Sequence, residues 1–256
     1  MAEVGMSMTY WLAGLFLPLF PLSMGFNLLL GRVRNGLPRA VLLLVWPQLG
    51  LSLVFAASNE VPDWVLVVAL FTAALYAFRA IALREVGQWI GFLATSAWAL
   101  LWPVLMTGAE APLIRLYALG FSVPLALLAL LGARLERYFG AAYTGLYGGL
   151  AETLPRFSGV LVFVVLGVIA VPVFPGFFAL FNTVVETTAA APAVALSLVV
   201  IWLLWSWAGV RLLQGLIVGP ANGREAPDLS ATALWSYASA IFVLLISGLY
   251  FAGDLL

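Results

Sequence analysis

The sequence predicts an all-α fold, a polytopic transmembrane helix bundle of about eight spans with one helix broken near 171–177. Three observations carry this expectation. Of the 256 residues, 64% are hydrophobic and 9% charged, against roughly a quarter charged in soluble domains. The mean hydropathy is +1.12. Apolar runs of the length needed to cross a bilayer, about 20 residues, recur at 9–30, 40–58, 64–83, 87–107, 113–132, 157–185, 193–218 and 231–252. Nothing alternates as the strands of a membrane barrel would.

The first run follows "MAEVGMSM", which lacks a basic leader region, and it is longer than a signal peptide's apolar core. It is expected to stay in the protein. The loop after it, "GRVRNGLPR", carries Arg32, Arg34 and Arg39, and the next, "SNEVPD", only Glu60 and Asp63. The alternation continues through Arg79 and Arg84, Glu110, the group Arg134, Arg137 and Arg156, Glu186, the pair Arg211 and Arg224, and Asp254. Ten of the eleven arginines fall on one side, with Arg115 the exception. By the positive-inside rule that side faces the cytoplasm and both termini lie outside, in a bacterial inner (cytoplasmic) membrane.

Within the spans the polar groups are mild: Gln48, Thr95, Ser96, Ser122 and Asn182. Such groups usually satisfy backbone or bind neighbouring helices. Arg79, Arg115 and Arg211 stand near span ends, where side chains snorkel to the headgroups. Trp202, Trp205 and Trp207 read as packing residues. In the long cytoplasmic loop, Glu136, Arg137 and Glu152 read as solvated charges.

The sixth run contains "VPVFPGFFALFN" (171–182), with Pro172, Pro175, Gly176 and Phe177. Proline removes a backbone donor and clashes with the preceding turn. Inside lipid, irregular backbone is tolerated only when it is buried in protein or lines a cavity. Broken helices build ion sites in transporters, while an ordinary proline kink is the alternative on local sequence.

The surroundings favour the first reading. "GLYGGLAETLPRF" (145–157) places Gly148, Gly149 and Leu150 four residues before Pro155, and Pro172 follows after sixteen mostly apolar residues. This resembles the antiporter-like membrane subunits of respiratory complex I (NADH:quinone oxidoreductase) and of the multi-subunit Na+/H+ antiporters. There a similar Gly-Gly-Leu loop enters a broken helix carrying Pro and Gly-Phe. "LLGARLER" (130–137) and "WAGVRLLQGLIVG" (207–219) are similar to the flanking segments of that family. The resemblance covers roughly 113–252, and residues 1–80 match only as apolar helices. The expected division is therefore 1–112, N-terminal transmembrane helices, and 113–256, an antiporter-like helix module with the cytoplasmic loop 133–156.

The resemblance also implies what is different. Full family members have more helices, in two inverted repeats, each with a broken helix and its own buried charges. The family's charge past the Gly-Phe glycine falls on Leu180, and its histidine in the preceding helix falls near Gly120. Both positions are neutral here. Arg211 is the one proton-path candidate, with Glu186 as an exit group.

The composition excludes much else. Histidine, lysine and cysteine are absent, so no His-ligated haem, thiolate-held cluster, conventional zinc site or Ser-His-Asp machinery is available. No cofactor and no nucleic-acid partner are expected, and catalysis by the chain alone is not expected either. The implied function is that of a membrane subunit in a larger ion-gradient- or redox-coupled complex. The candidates are complex I-like or hydrogenase-linked, cation antiporter, and inorganic-carbon uptake assemblies. Its partners would be other membrane subunits, a full-length antiporter-like relative among them, and a soluble catalytic subunit. The alternative is a self-contained carrier or channel that gates at the Pro172–Gly176 break and binds its solute through Gln48, Ser96 and Asn182. "LPLFPLSMG" (17–25) is the nearest match to that break in the first half, without being a convincing one.

Overall fold

The structure, a computed structural model, describes residues 2–57, 61–145, 148–220 and 226–253. Glu60, Arg224 and Asp254 of the charge pattern lie outside the described residues. The chain forms α1 (Ala2–Phe16), α2 (Ser23–Arg32), α3 (Gly36–Ala57), α4 (Asp63–Ala80), α5 (Val86–Ala99), α6 (Leu101–Leu105), α7 (Ala111–Phe139), α8 (Leu150–Thr153), α9 (Pro155–Val168), α10 (Pro175–Ala190), α11 (Pro192–Ile217) and α12 (Ala231–Gly253). Among the described residues there is no strand, and six helical segments are long and apolar enough to cross a membrane. The chain is an integral membrane protein.

Proline sets several helix starts. Each of α7, α9, α10 and α11 has one in its first two positions, where its missing N–H has no intrahelical partner to lose. Helix α7 runs beyond the expected end at 132, through "ARLERYF", and stops at Gly140, whose φ of 83° closes it in the left-handed region. The loop between α7 and α8 thus begins at 140.

Two apolar runs are each two helices separated by irregular backbone, and a third, 87–107, is α5 and α6 meeting at Leu100. The run 157–185 divides into α9 and α10, at the expected break. The run 9–30 divides as well, into α1 and α2. Pro18 has no N–H to continue α1, and Leu19 donates instead to the Gly14 carbonyl at 2.8 Å, skipping a position in the ladder. A cis peptide joins Phe20 and Pro21. Hydropathy is blind to a missing backbone donor, so the apolar run conceals this break.

Helix α7 stands at the centre, packed by α3, α5, α9 and α10. The Val86–Leu105 segment has 83% of its central stretch buried, whereas Ala231–Ala252 has 22%, which places α12 at the rim. Lipid is as apolar as leucine, so helices associate through close contact and internal hydrogen bonds. Ser96 donates to the Ala73 carbonyl (2.7 Å) and accepts from the Trp205 indole (2.8 Å). Trp98 donates to Ser122 at 3.0 Å.

At one end of the bundle the connections interlock. Val86 N–H donates to Ala142 O, Thr144 N–H to Arg84 O and Gly145 N–H to Gly215 O, all at 2.8 to 2.9 Å. Arg39, Arg84, Arg137, Arg156 and Arg211 belong to this end. Arg115 lies toward the other, bonded to Gln48 and Ser52 and held over the Phe55 ring.

Candidate functional site at the broken helices

In the α9–α10 break the backbone leaves the helix at Ile169 and re-enters it at Pro175. Ala170 and Val173 have φ of 54° and 89°, a region that is costly for residues with a Cβ and most of all for β-branched ones. The carbonyls freed at the end of α9 are met from α11, where the Trp202 indole N–H lies 3.0 Å from Ile169 O and 3.1 Å from Ala170 O. Trp202 is thus a backbone cap as well as a packing residue.

The break is pressed between neighbours. A Cβ placed on Gly120 of α7 would meet Pro175 Cβ at 3.1 Å and the Gly176 nitrogen at 3.3 Å. One placed on Gly248 of α12 would lie 1.9 Å from the Val173 carbonyl oxygen. Pro175, Gly176 and Leu180 are buried, Pro172 is exposed, and Phe177 stacks on Phe181 and tilts against Trp202. Of the two neutral positions, Gly120 touches the start of α10, and Leu180 is buried a little over a turn further along it.

The α1–α2 break is built the same way. Trp102 donates to Leu17 O (3.0 Å), Trp46 to Leu15 O (3.2 Å), and Thr72 Oγ1 accepts from Phe20 N–H (2.9 Å). Gly50 of α3 takes the clamping role, since a Cβ there would lie 2.7 Å from Leu17 Cγ. In both breaks indole N–H groups from other helices satisfy the freed carbonyls, and a glycine lets a neighbouring helix close in. The sequence singles out neither Trp46, Trp102 nor Thr72, and Trp202 reads there only as a packing residue, because a cap made across space leaves no local pattern.

The loop motif also has a spatial explanation. Gly149 has φ of 75° and opens α8; Leu150 is buried, and Pro155 starts α9. A Cβ on Gly148 would lie 3.0 Å from Val218 O at the end of α11. The two motifs, 145–157 and 207–219, meet here as well as at the Gly145–Gly215 hydrogen bond. Asp228, also unremarked in the sequence, caps α9 by accepting from the N–H groups of Arg156 (2.9 Å) and Phe157 (3.0 Å).

Arg211 and Glu186 are not brought together. Arg211 is exposed in a cleft with Arg84 and Gln214, whereas Glu186 lines a small cavity of about 170 Å³ with Tyr117 and Asn182. The carrier reading's three ligands are likewise dispersed. Gln48 donates to Arg115 O, Ser96 is bonded between Ala73 and Trp205, and Asn182 donates to Tyr117 (2.8 Å). Arg115 and Tyr117, two residues apart, face different sides of α7.

The densest charge cluster is at the arginine end. Arg39, 8% exposed at its side chain, donates to Glu136 at 2.8 Å and to the Val33 carbonyl, tying α3 to α7. Glu85 lies beside it. Burial raises its carboxyl above the usual carboxylate range, Arg39 opposes, Glu136 raises it further, and a hydrogen bond from Gln88 lowers it. Among the described residues no three His, Cys, Asp or Glu side chains gather as metal ligands would.

No protein-family model and no curated protein matches the chain. Solved structures do. A chain of respiratory complex I from Thermus thermophilus matches at TM-score 0.80 and 21% identity, over 94% of this chain and 54% of that one. One of the Mrp complex from Dietzia sp. DQ12-45-1b matches at 0.82 and 15%, over 99% and 57%. One of the membrane-bound sulfane sulfur reductase, an archaeal respiratory membrane complex, matches at 0.81 and 13%, over 94% and 52%. The likeness includes the first helices, which the sequence matched only as apolar runs. Over a little more than half the length of those chains, this protein shares the fold of chains from respiratory complex I, the Mrp complex and the membrane-bound sulfane sulfur reductase.

Proposed function

We propose that the chain is a membrane subunit of a larger ion-gradient- or redox-coupled complex, with a structural or coupling role and no proton relay of its own. One observation carries this reading. At the α9–α10 break the two positions where the resemblance implies charge are Gly120, in contact with Pro175, and Leu180, buried in the core. An ion in hydrocarbon is too costly to move without titratable groups or ordered water. Any ion that crosses does so on groups supplied by the assembly.

The arginine end faces the cytoplasm in this reading, with both termini outside a bacterial inner membrane. That orientation follows from the positive-inside rule. The module 113–256 presents its loop to a soluble partner, and Arg211 is its one candidate to complete a charge path with a neighbouring chain. The complex is of complex I-like, cation-antiporter or inorganic-carbon uptake type.

Extraction in mild detergent followed by mass spectrometry of copurifying chains tests this. Stoichiometric membrane and soluble subunits are expected. Recovery of a lone, folded, transport-competent protein overturns the reading in favour of the self-contained carrier.

A further inference from the structure

A cleft of about 580 Å³ opens at the arginine end between α2, the end of α4 and the start of α5. Its rim is cationic. Arg32 stands in the last turn of α2 and Arg79 in the last turn of α4, both exposed. Arg79 lies over the Phe92 ring at 5.5 Å, on the cleft wall. Neither arginine has a carboxylate partner among the described residues. The lining carries one carboxylate, Glu85, against three arginines. Glu85 lies beside Arg39: a Cβ on Gly87 would be 2.8 Å from its Oε1 and 3.5 Å from Arg39 Nη1.

Below the rim the lining turns mostly apolar, with Asn27 and Tyr76 as its polar members. Met24 lies eight residues before Arg32 on α2, or about 12 Å deeper at 1.5 Å per residue. Met24 and Leu28 are 53% and 65% exposed, so the outer wall of the cleft is open to lipid. Free phosphate would match the rim and leave the apolar depth empty. A zwitterionic lipid would fill the depth and leave the arginines without net compensation. Basic pockets between helices at the cytoplasmic surface hold anionic headgroups.

We propose that this cleft binds an anionic phospholipid, with its phosphodiester between Arg32 and Arg79 and an acyl chain along Met24, Leu28 and Phe92. The site is independent of the helix breaks and of the identity of the complex.

The test uses the full chain with any subunits that copurify, delipidated in detergent. It is titrated with phosphatidylglycerol, phosphatidylcholine or glycerol phosphate, and bound lipid is counted by native mass spectrometry. Phosphatidylglycerol is expected to be retained over phosphatidylcholine, with no effect of glycerol phosphate. The double substitution Arg32→Gln, Arg79→Gln should weaken retention roughly thirty-fold, at about one surface arginine's worth of attraction each. Both side chains are exposed, so the fold is expected to survive, which a thermal melt checks. Arg84→Gln with Arg211→Gln, in the neighbouring cleft, should leave retention unchanged. Equal retention of the two lipids, or the same loss from either double variant, overturns the proposal. Competition by glycerol phosphate assigns the rim to a soluble phosphate and also overturns it.

Discussion

Gly248 of α12 and Val173 of the α9–α10 break are in backbone contact, so close that a Cβ at 248 would lie 1.9 Å from the Val173 carbonyl oxygen. A helix at the rim of the bundle is thereby seated on the irregular segment. Gly248→Ala must push α12 outward or distort the break. Overpacking of this kind costs about 1–3 kcal/mol, read as a lower thermal midpoint in detergent. Gly159→Ala, on α9 with nothing within 4 Å of its Cβ, should be neutral or stabilising by up to about 1 kcal/mol.

Val173 is held at φ of 89° and the residue is 44% exposed, so little packing is lost on removal of its side chain. Val173→Gly relieves a strain of about 1–3 kcal/mol, offset in part by greater freedom of the unfolded chain. The expected result is a net gain of about 1 kcal/mol in thermal or denaturant unfolding. A lower midpoint would show that the strain in this backbone is not what limits the break.

The indole caps make a paired comparison. Trp202→Phe keeps an aromatic ring beside Phe177 and removes the N–H from Ile169 and Ala170. Trp102→Phe does the same to Leu17 in the other break. Leaving buried carbonyls unmet costs about 1–3 kcal/mol. Hydrogen exchange should rise at 169–174 in the first variant and at 17–22 in the second, each at its own break.

Glu85 gives a pH dependence whose sign follows from its environment. Its folded carboxyl is raised above the usual range, chiefly by burial, so the folded state binds its proton more tightly than the unfolded. That contribution to stability is fully present below the ordinary carboxylate range and is lost as pH rises through the elevated folded value. Glu85→Gln should therefore raise the unfolding midpoint at neutral pH, with the difference from wild type vanishing on acidification. A difference that persists at low pH would assign the effect to packing.

Leu180→Ala should cost about 2–5 kcal/mol, as buried leucines do, and leave the pH profile of coupled transport in the assembled complex where it was. A shifted profile would place a titrating path at this position and contradict the proposed role.

Much of the fold is written in the chain. Hydropathy locates the spans because crossing lipid demands long apolar runs, and α3, α4, α11 and α12 begin and end within a few residues of their expected bounds. The α9–α10 break is legible because Pro172, Pro175 and Gly176 stand inside a membrane run with a recognisable loop before it. The α1–α2 break is only faintly legible: "LPLFPLSMG" (17–25) carries Pro18, Pro21 and Gly25 and is the nearest match in the first half, but no loop motif precedes it and its carbonyls are satisfied by Trp46 and Trp102 from other helices. The meeting of Gly148 with Val218, the Asp228 cap on α9 and the Arg39–Glu136 tie are equally silent. The sequence by itself determined what must lie in lipid, where the backbone lacks donors and which charges gather at one end. Only the tertiary structure decided which distant side chains satisfy the freed backbone and which glycines let helices touch, since those depend on groups far apart in the chain arriving within a few ångströms of each other.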